Sequence, residues 1–196
     1  VETWFQRNPP CGGWEKLGSD ASSEEGEFGT QLGVEDDGGM VFRTLPAAQV
    51  PGPGVYPVVM LVKGDHSTAR FDLYVWKPGR KVVVTDIDGT MTTGDSEVFS
   101  EYFSKLFEGS YVPKMYDDAD TVMRLYADKG YDIVYMTGRP NWLKGITSDW
   151  LVAKGFPRGP VHVTNESSEV LPTKAGVQAY KTAFLAFLAG GRGADL

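Results

Sequence analysis

Two aspartates stand two positions apart in residues 86–90, which read DIDGT directly after the apolar run VVVT. Gly89 allows the backbone to turn sharply behind them. One carboxylate in such a pair can attack phosphorus to form an aspartyl-phosphate, and the other can protonate the leaving oxygen and later deprotonate water. A divalent cation must offset the repulsion between acids and phosphate, and hard oxygen ligands select Mg²⁺. The pattern therefore predicts a Mg²⁺-dependent phosphohydrolase site at Asp86 and Asp88.

A calcium loop and a simple Asp-rich turn are the alternatives for this motif, since paired Asp residues are common in turns. An EF-hand needs further acids at alternate positions and a Glu at the end of its loop. Here Ile87, Thr90 and Met91 intervene, and the motif follows a strand pattern instead of a helix. The phosphohydrolase interpretation is favoured, because a strand followed by DxDGT is a demanding pattern.

Two further segments carry candidate site residues. Thr137, Gly138 and Arg139 follow the strand-like run YDIVYM and precede a helix pattern. A hydroxyl and backbone N–H groups at that position can cradle a phosphate, although TGR alone is more often a capped turn. Lys181, on a later predicted helix, could stabilise charge on a transferred phosphoryl group, and Lys174 is the competing candidate.

Strand and helix patterns alternate from the first motif to the end of the chain. Strands are predicted at Val82–Asp86, Tyr131–Met136 and Val161–Thr164, and helices over 117–130, 140–154 and 175–189. We expect the first of these helices to bury Ala119, Val122, Met123 and Tyr126. The alternation predicts a parallel sheet covered on both faces, with ligands at the carboxyl ends of its strands.

The chain before Pro78 differs in composition and in its secondary-structure pattern. Residues 1–40 are rich in Gly, Ser, Asp and Glu and are expected to be dominated by loops. Two β-branched and aromatic runs then follow from Val55, separated by residues 65–67, which predicts a β hairpin. We therefore expect an N-terminal loop-rich and β-sandwich-like region at 1–78 and an α/β domain at 79–196.

Composition excludes some classes of protein. The formal net charge of −7 argues against a nucleic-acid binder, which needs clustered Lys and Arg. No apolar run approaches the roughly 20 residues that span a bilayer, and Val1 begins no recognisable signal peptide, so the compartment stays open. Cys11 is the only cysteine and is expected to be structurally neutral.

Three segments together resemble the haloacid dehalogenase (HAD) superfamily, and more closely its lipin-type, LNS2-like branch. VVVTDIDGTMTTGDSEVF resembles the first motif of lipins and of the related domain in phosphatidylinositol transfer proteins. YMTGRP resembles the second motif, and YKTAFL resembles the segment that holds the third-motif lysine. The similarity covers Val55 to about Leu188.

The resemblance implies a Rossmann-like HAD fold of three layers, preceded by a small antiparallel β region of the kind found in Ig-like sandwiches. It implies that Asp86 is the nucleophile and a metal ligand, and that Asp88 is the general acid/base and binds the metal through its carbonyl. Thr137 and Lys181 then bind phosphate and stabilise charge. The implied activity is Mg²⁺-dependent hydrolysis of phosphatidate to diacylglycerol.

Two features depart from the family pattern. A fourth motif that completes the Mg²⁺ shell is not found after Lys181, so we expect it beyond the chain end. The amphipathic N-terminal helix of lipins is not evident, and Trp4 and Phe5 offer either a small interfacial anchor or plain packing. The segments between the motifs leave no room for a cap domain, which predicts an open site for a lipid or another large phosphomonoester.

Three functions stay open at this point. The first is a phosphatidate phosphatase with peripheral membrane contact. The second is a non-catalytic phosphatidate-binding module that senses the lipid. The third is a HAD phosphatase of another large substrate, for which the acidic charge makes a polynucleotide unfavourable. The retained Asp88 favours catalysis, whereas the missing fourth motif favours sensing.

Overall fold

The computed structural model describes residues 1–21, 41, 43, 45–93, 112–164 and 174–191. The chain divides into two compact units, Val1–Lys77 and Pro78–Leu196. No helix in these ranges is both long and apolar enough to cross a membrane. The fold is mixed α/β, with an antiparallel sheet in the first unit and a parallel sheet in the second.

The described residues of the first unit form a four-stranded antiparallel sheet in the order β2-β1-β3-β4. Its strands are β1 (Glu2–Gln6), β2 (Trp14–Ser19), β3 (Gly54–Leu61) and β4 (Thr68–Val75). The predicted hairpin is confirmed by the β3–β4 pairing. A second sheet facing this one, which a sandwich requires, is not among the described residues.

The expectation of a loop-dominated N-terminus is wrong for β1 and β2. Burial alternates along β1, where Thr3 and Phe5 are buried and their neighbours are half-buried. Phe5 is 1% exposed and packs with Leu17 and Val58, so it belongs to the core and offers no interfacial anchor. The remaining residues of that prediction, 22–40, lie outside the described residues.

In the part of the second unit that the structure describes, three parallel strands lie in the order β5-β6-β7. They are β5 (Val82–Asp86), β6 (Asp132–Pro140) and β7 (Val161–Thr164), and they confirm the predicted parallel sheet. Eight of the nine β6 residues are buried, as expected of a central strand covered on both faces. The sheet therefore holds the carboxyl ends of β5 and β6 side by side.

The described residues of this unit form three helices: α1 (Ala119–Asp128), α2 (Lys144–Ala153) and α3 (Lys174–Ala186). A 3₁₀ turn (Asn141–Leu143) leads into α2, and a π-helical turn (Phe187–Gly191) ends α3. The main core cluster joins side chains from the first motif, β6, α2 and the turn after it: Ile87, Met91, Ile133, Tyr135, Trp150, Leu151 and Phe156.

The predicted buried face of α1 is partly wrong. Ala119, Met123 and Ala127, spaced four residues apart, pack against the core cluster. Val122 and Tyr126 are 44% and 40% exposed. The buried stripe is narrower than the sequence suggests, because small Ala side chains occupy the contact line and the larger apolar residues flank it.

Candidate functional site

The first motif forms a tight turn at the carboxyl end of β5. The Ile87 N–H donates to the Met136 carbonyl at 3.0 Å, which extends the β5–β6 ladder by one residue past Asp86. The Ile87 carbonyl then accepts from the Thr92 N–H at 3.1 Å. Gly89 adopts φ +74°, a left-handed conformation that a side chain would strain. The sequence after the strand therefore turns within a few residues and leaves both aspartates at the sheet edge.

Asp86 is paired with the lysine of the third motif. Lys181 Nζ on α3 lies 2.6 Å from Asp86 Oδ2, with both side chains about a quarter exposed. Asp86 Oδ1 is buried and has no hydrogen-bond partner among the described residues. Burial raises the pKa of the Asp86 carboxyl, and the Lys181 ammonium opposes that rise. The ion pair thus engages Oδ2, and no donor among the described residues engages Oδ1.

Asp88 is held by the second motif. Arg139 approaches it side-on, with Nη2 and Nε donating to Oδ1 at 2.7 Å and 3.1 Å, and Nε also 3.2 Å from Oδ2. The Thr137 hydroxyl donates to Oδ2 at 2.7 Å. The Arg139 side chain is 0% exposed and that of Asp88 is 15% exposed. Both carboxylate oxygens of Asp88 therefore accept hydrogen bonds from buried protein donors.

A network of buried polar groups fixes the second motif in turn. Arg139 Nη1 donates to the Thr147 hydroxyl on α2 at 3.0 Å. The Thr164 hydroxyl on β7 donates to the Arg139 carbonyl at 3.2 Å, and the Tyr180 hydroxyl on α3 donates to the Thr137 carbonyl at 3.2 Å. Thr137, Thr147 and Thr164 are each 0% exposed. Side chains from three elements thus hold the second-motif backbone and guanidinium.

The site combines two acids and two bases. Asp86 and Asp88 each face a cation, which is Lys181 for the first and Arg139 for the second. The paired charges sum to zero, so a phosphate that approaches this edge does not meet two uncompensated carboxylates. An ammonium carries three N–H donors, and the bond to Asp86 uses one of them. The arrangement can accept an anionic oxygen next to Lys181.

A divalent cation is compatible with one side of this site. The unpartnered, buried Oδ1 of Asp86 is a hard oxygen ligand of the kind that Mg²⁺ prefers. The side-chain oxygens of Asp88 are engaged by Arg139 and Thr137. The described residues include no cluster of three or more His, Cys, Asp or Glu side chains that could hold a metal. Asp86 is therefore the side-chain ligand that these residues offer.

The structure brings together Asp86, Asp88, Thr137 and Lys181, the four residues predicted to carry chemistry. Gly138 lies between Thr137 and Arg139, and an added Cβ there would meet no atom within 4 Å. The side chain of Lys174, the competing candidate, lies outside the described residues.

Sequence reasoning missed two partners in this site. Arg139 was predicted to lie in a turn after the strand, which is wrong because β6 extends to Pro140, and its ion pair with Asp88 was not foreseen. Thr147 was not singled out, although it follows Leu143 by four residues and precedes Trp150 by three on the buried face of α2. A polar residue on an apolar face needs a partner, and that signal could have marked it.

His162 on β7 lies next to this network, and its ring packs against aromatic side chains of α3. Its ring stacks on Tyr180 and Phe184, with centroid distances of 5.1 Å and 3.6 Å. Burial, with a smaller contribution from the Lys144 charge, lowers the pKa of His162 to about 4. The imidazole is therefore neutral near pH 7 and packs against α3.

Comparison with known families identifies the second unit. The sequence model of the LNS2 domain of PITM 1-3 matches residues 83–194, which include all three motifs and more than half of the chain. The chain belongs to the LNS2 domain family. This confirms the resemblance to the LNS2-like, lipin-type branch of the HAD superfamily.

Relatives of this LNS2 domain occur within much longer proteins. Membrane-associated phosphatidylinositol transfer protein 1 of Rattus norvegicus is 38% identical over 134 residues, or 68% of the chain. Membrane-associated phosphatidylinositol transfer protein 2 of Homo sapiens is 32% identical over 161 residues, or 82% of the chain. Protein retinal degeneration B of Drosophila melanogaster is 29% identical over 159 residues, or 81% of the chain. The chain spans about a tenth of the length of each relative.

Proposed function

We propose that this LNS2 domain binds the phosphomonoester headgroup of phosphatidate at the carboxyl edge of its parallel sheet and senses the lipid without hydrolysing it. The observation that supports this most is the engagement of Asp88. A general acid must direct a protonated oxygen at the leaving group. Both oxygens of Asp88 instead accept hydrogen bonds from Arg139 and Thr137.

The charges of the site support an anionic ligand. Arg139 neutralises Asp88 inside the protein, so the phosphate is repelled less at that side of the site. Lys181 contributes a cation that reaches the same edge through its bond to Asp86. A charge-assisted hydrogen bond of this kind contributes about 1.5–3 kcal/mol, which corresponds to roughly 10- to 100-fold in affinity.

The names of the relatives describe membrane association and phosphatidylinositol transfer, which agrees with a lipid ligand. For this chain we propose lipid binding but not the transfer activity that those names describe. The ligand proposed here differs from phosphatidylinositol because its phosphate is a terminal monoester. Peripheral contact with the membrane that carries the lipid is part of the proposal.

Flotation with vesicles tests the binding. Phosphatidylcholine vesicles that contain phosphatidate should carry the chain, and vesicles with phosphatidylserine at matched surface charge should carry much less. Lys181→Met should lower the phosphatidate affinity at least about tenfold. Lys129→Met is the matched control, because Lys129 is exposed just after α1 and precedes β6, at the amino end of the strands. Equal binding of both lipids would refute the proposal.

Phosphatase activity is the second candidate, and the orphan Oδ1 of Asp86 favours it. That oxygen, with Lys181 on its neighbour, would suit a nucleophile that also binds Mg²⁺. The metal, held by Asp86 and the Asp88 carbonyl, would offset phosphate charge during attack. Phosphate release from phosphatidate, lysophosphatidate, nucleotides and phosphopeptides, with and without Mg²⁺, distinguishes this function. Mg²⁺-dependent release that Asp86→Asn abolishes would establish it.

A further inference from the structure

We infer that Thr147 is a positioning residue of the lipid site and acts through Arg139; this rests on the function proposed above. Neither the sequence motifs nor the family resemblance marks Thr147. It lies on α2, is 0% exposed, and its hydroxyl accepts a hydrogen bond from Arg139 Nη1 at 3.0 Å. The same guanidinium uses Nη2 and Nε to hold Asp88.

The bond from Thr147 determines the direction of the guanidinium plane. An Arg side chain has several rotatable bonds, but its five N–H donors lie in one rigid plane. Thr147 lies at one edge of that plane and Asp88 at the other. The guanidinium can therefore donate to both in a single orientation only. Without the hydroxyl, Nη1 would be a buried donor with one acceptor fewer, and the guanidinium would tilt to seek another.

A tilt of Arg139 would change the charge that a phosphate meets. Asp88 would lose part of its side-on ion pair and expose negative charge at the site. The Thr137 hydroxyl, which donates to Asp88 Oδ2 at 2.7 Å, would lose its fixed acceptor as well. Both changes weaken the binding of an anionic headgroup, so Thr147 contributes to affinity from behind the site.

Three variants separate positioning from plain structural support. Thr147→Val keeps the shape and removes the hydroxyl, whereas Thr147→Ser keeps the hydroxyl. Thr164→Val is the matched control, because Thr164 is equally buried and its hydroxyl bonds to the Arg139 backbone carbonyl and not to the guanidinium. All three are compared by thermal unfolding to confirm that they fold.

The first measurement needs no lipid and follows the Arg139 Nε–H signal in ¹H–¹⁵N NMR spectra. We expect Thr147→Val to shift or broaden that signal and Thr147→Ser to leave it in place. Thr164→Val, which loses only a bond to the Arg139 backbone, should change it less than Thr147→Val does. An unchanged signal in Thr147→Val would overturn the positioning role whether or not the domain binds phosphatidate.

The second measurement is affinity for phosphatidate vesicles. Thr147→Val should weaken binding roughly five- to tenfold, as expected for one buried hydrogen bond, and Thr147→Ser should stay within about twofold of the unsubstituted chain. Equal losses of affinity in Thr147→Val and Thr164→Val would show that Thr147 only supports the structure and does not position Arg139. If the unsubstituted chain does not bind phosphatidate, the proposed function fails, and the NMR result still decides the positioning claim.

Discussion

Arg139→Met should destabilise the second unit strongly. Met keeps much of the volume of the Arg stem but removes the charge and every donor. Asp88, 15% exposed, would lose its ion pair and keep the hydrogen bond from the Thr137 hydroxyl. Removal of one partner of a buried ion pair costs about 3–5 kcal/mol, because the other charge stays buried without compensation.

The matched control is Arg80→Met, just before β5. Arg80 also pairs with an aspartate, Asp132, but the two side chains are 45% and 27% exposed. An exposed pair of this kind contributes about 0.2–1 kcal/mol, so this variant should lose no more than about 1 kcal/mol. The contrast tests burial itself, since the chemical change is the same at both positions.

Native-state amide hydrogen exchange on β6 measures these losses locally. The amides of this central strand open with the unit as a whole, so their protection reports its unfolding free energy. The double variant Arg139→Met/Asp88→Asn should regain a large part of the unfolding free energy lost in Arg139→Met, since it removes the carboxylate charge that no longer has its ion-pair partner. A loss in Arg139→Met no larger than that in Arg80→Met would refute this prediction, and so would a double variant that is clearly less stable than Arg139→Met.

Three further predictions concern the same unit. Asp86→Asn should raise thermal stability near pH 7, because burial raises the pKa of the Asp86 carboxyl. The folded state therefore binds the proton more tightly than the unfolded state does. The stability of the unsubstituted chain falls as the pH rises from the ordinary pKa of 3.8 to the raised pKa. The gain should shrink near pH 4, and a gain independent of pH would contradict this. In the unsubstituted chain, stability should fall by an amount on the order of 2–3 kcal/mol as the pH drops from 6.5 to about 4, because the His162 imidazole binds a proton in the unfolded state before it does in the folded state. His162→Phe should remove this loss. An unchanged pH dependence in thermal scans would refute the prediction. Met123→Ala should cost about 1–2 kcal/mol in denaturant unfolding and Val122→Ala less than about 0.5, and equal losses would contradict the observed face of α1.

The parallel sheet and its motifs could be predicted because their signals are local. A continuous apolar strand that ends in DIDGT can place its acids only at the carboxyl end of the sheet. β7 was predicted with its observed bounds, since VHVT lies between turn residues. The spacing of strands and helices then brings Lys181 to the same edge.

The partners of Asp88 could not be predicted in the same way. Arg139 contacts it across 51 positions of sequence, and periodicity carries no information about which side chain a guanidinium will meet. Thr147 is one of many threonines on helices, and its role depends on that distant pair. The buried face of α1 was misjudged because the apolar pattern allows two neighbouring stripes, and packing against β6 selects the one with small residues.

The strands β1 and β2 were missed for another reason. They are five and six residues long, and turn-forming residues such as the Pro9-Pro10 pair stand between them. β1 pairs with β3, a long-range interaction, and β2 in turn pairs with β1. These pairings stabilise segments whose own composition favours loops.

Single-turnover phosphate release distinguishes lipid binding from lipid hydrolysis at this site. The chain is mixed in excess with phosphatidate vesicles in Mg²⁺, and inorganic phosphate is followed beside vesicle binding. We predict that the lipid is bound while phosphate appears no faster than with Asp86→Asn, because Asp88 stays engaged by Arg139 and Thr137. Release of one phosphate per bound lipid, abolished by Asp86→Asn, would show that the site is catalytic and contradict our account.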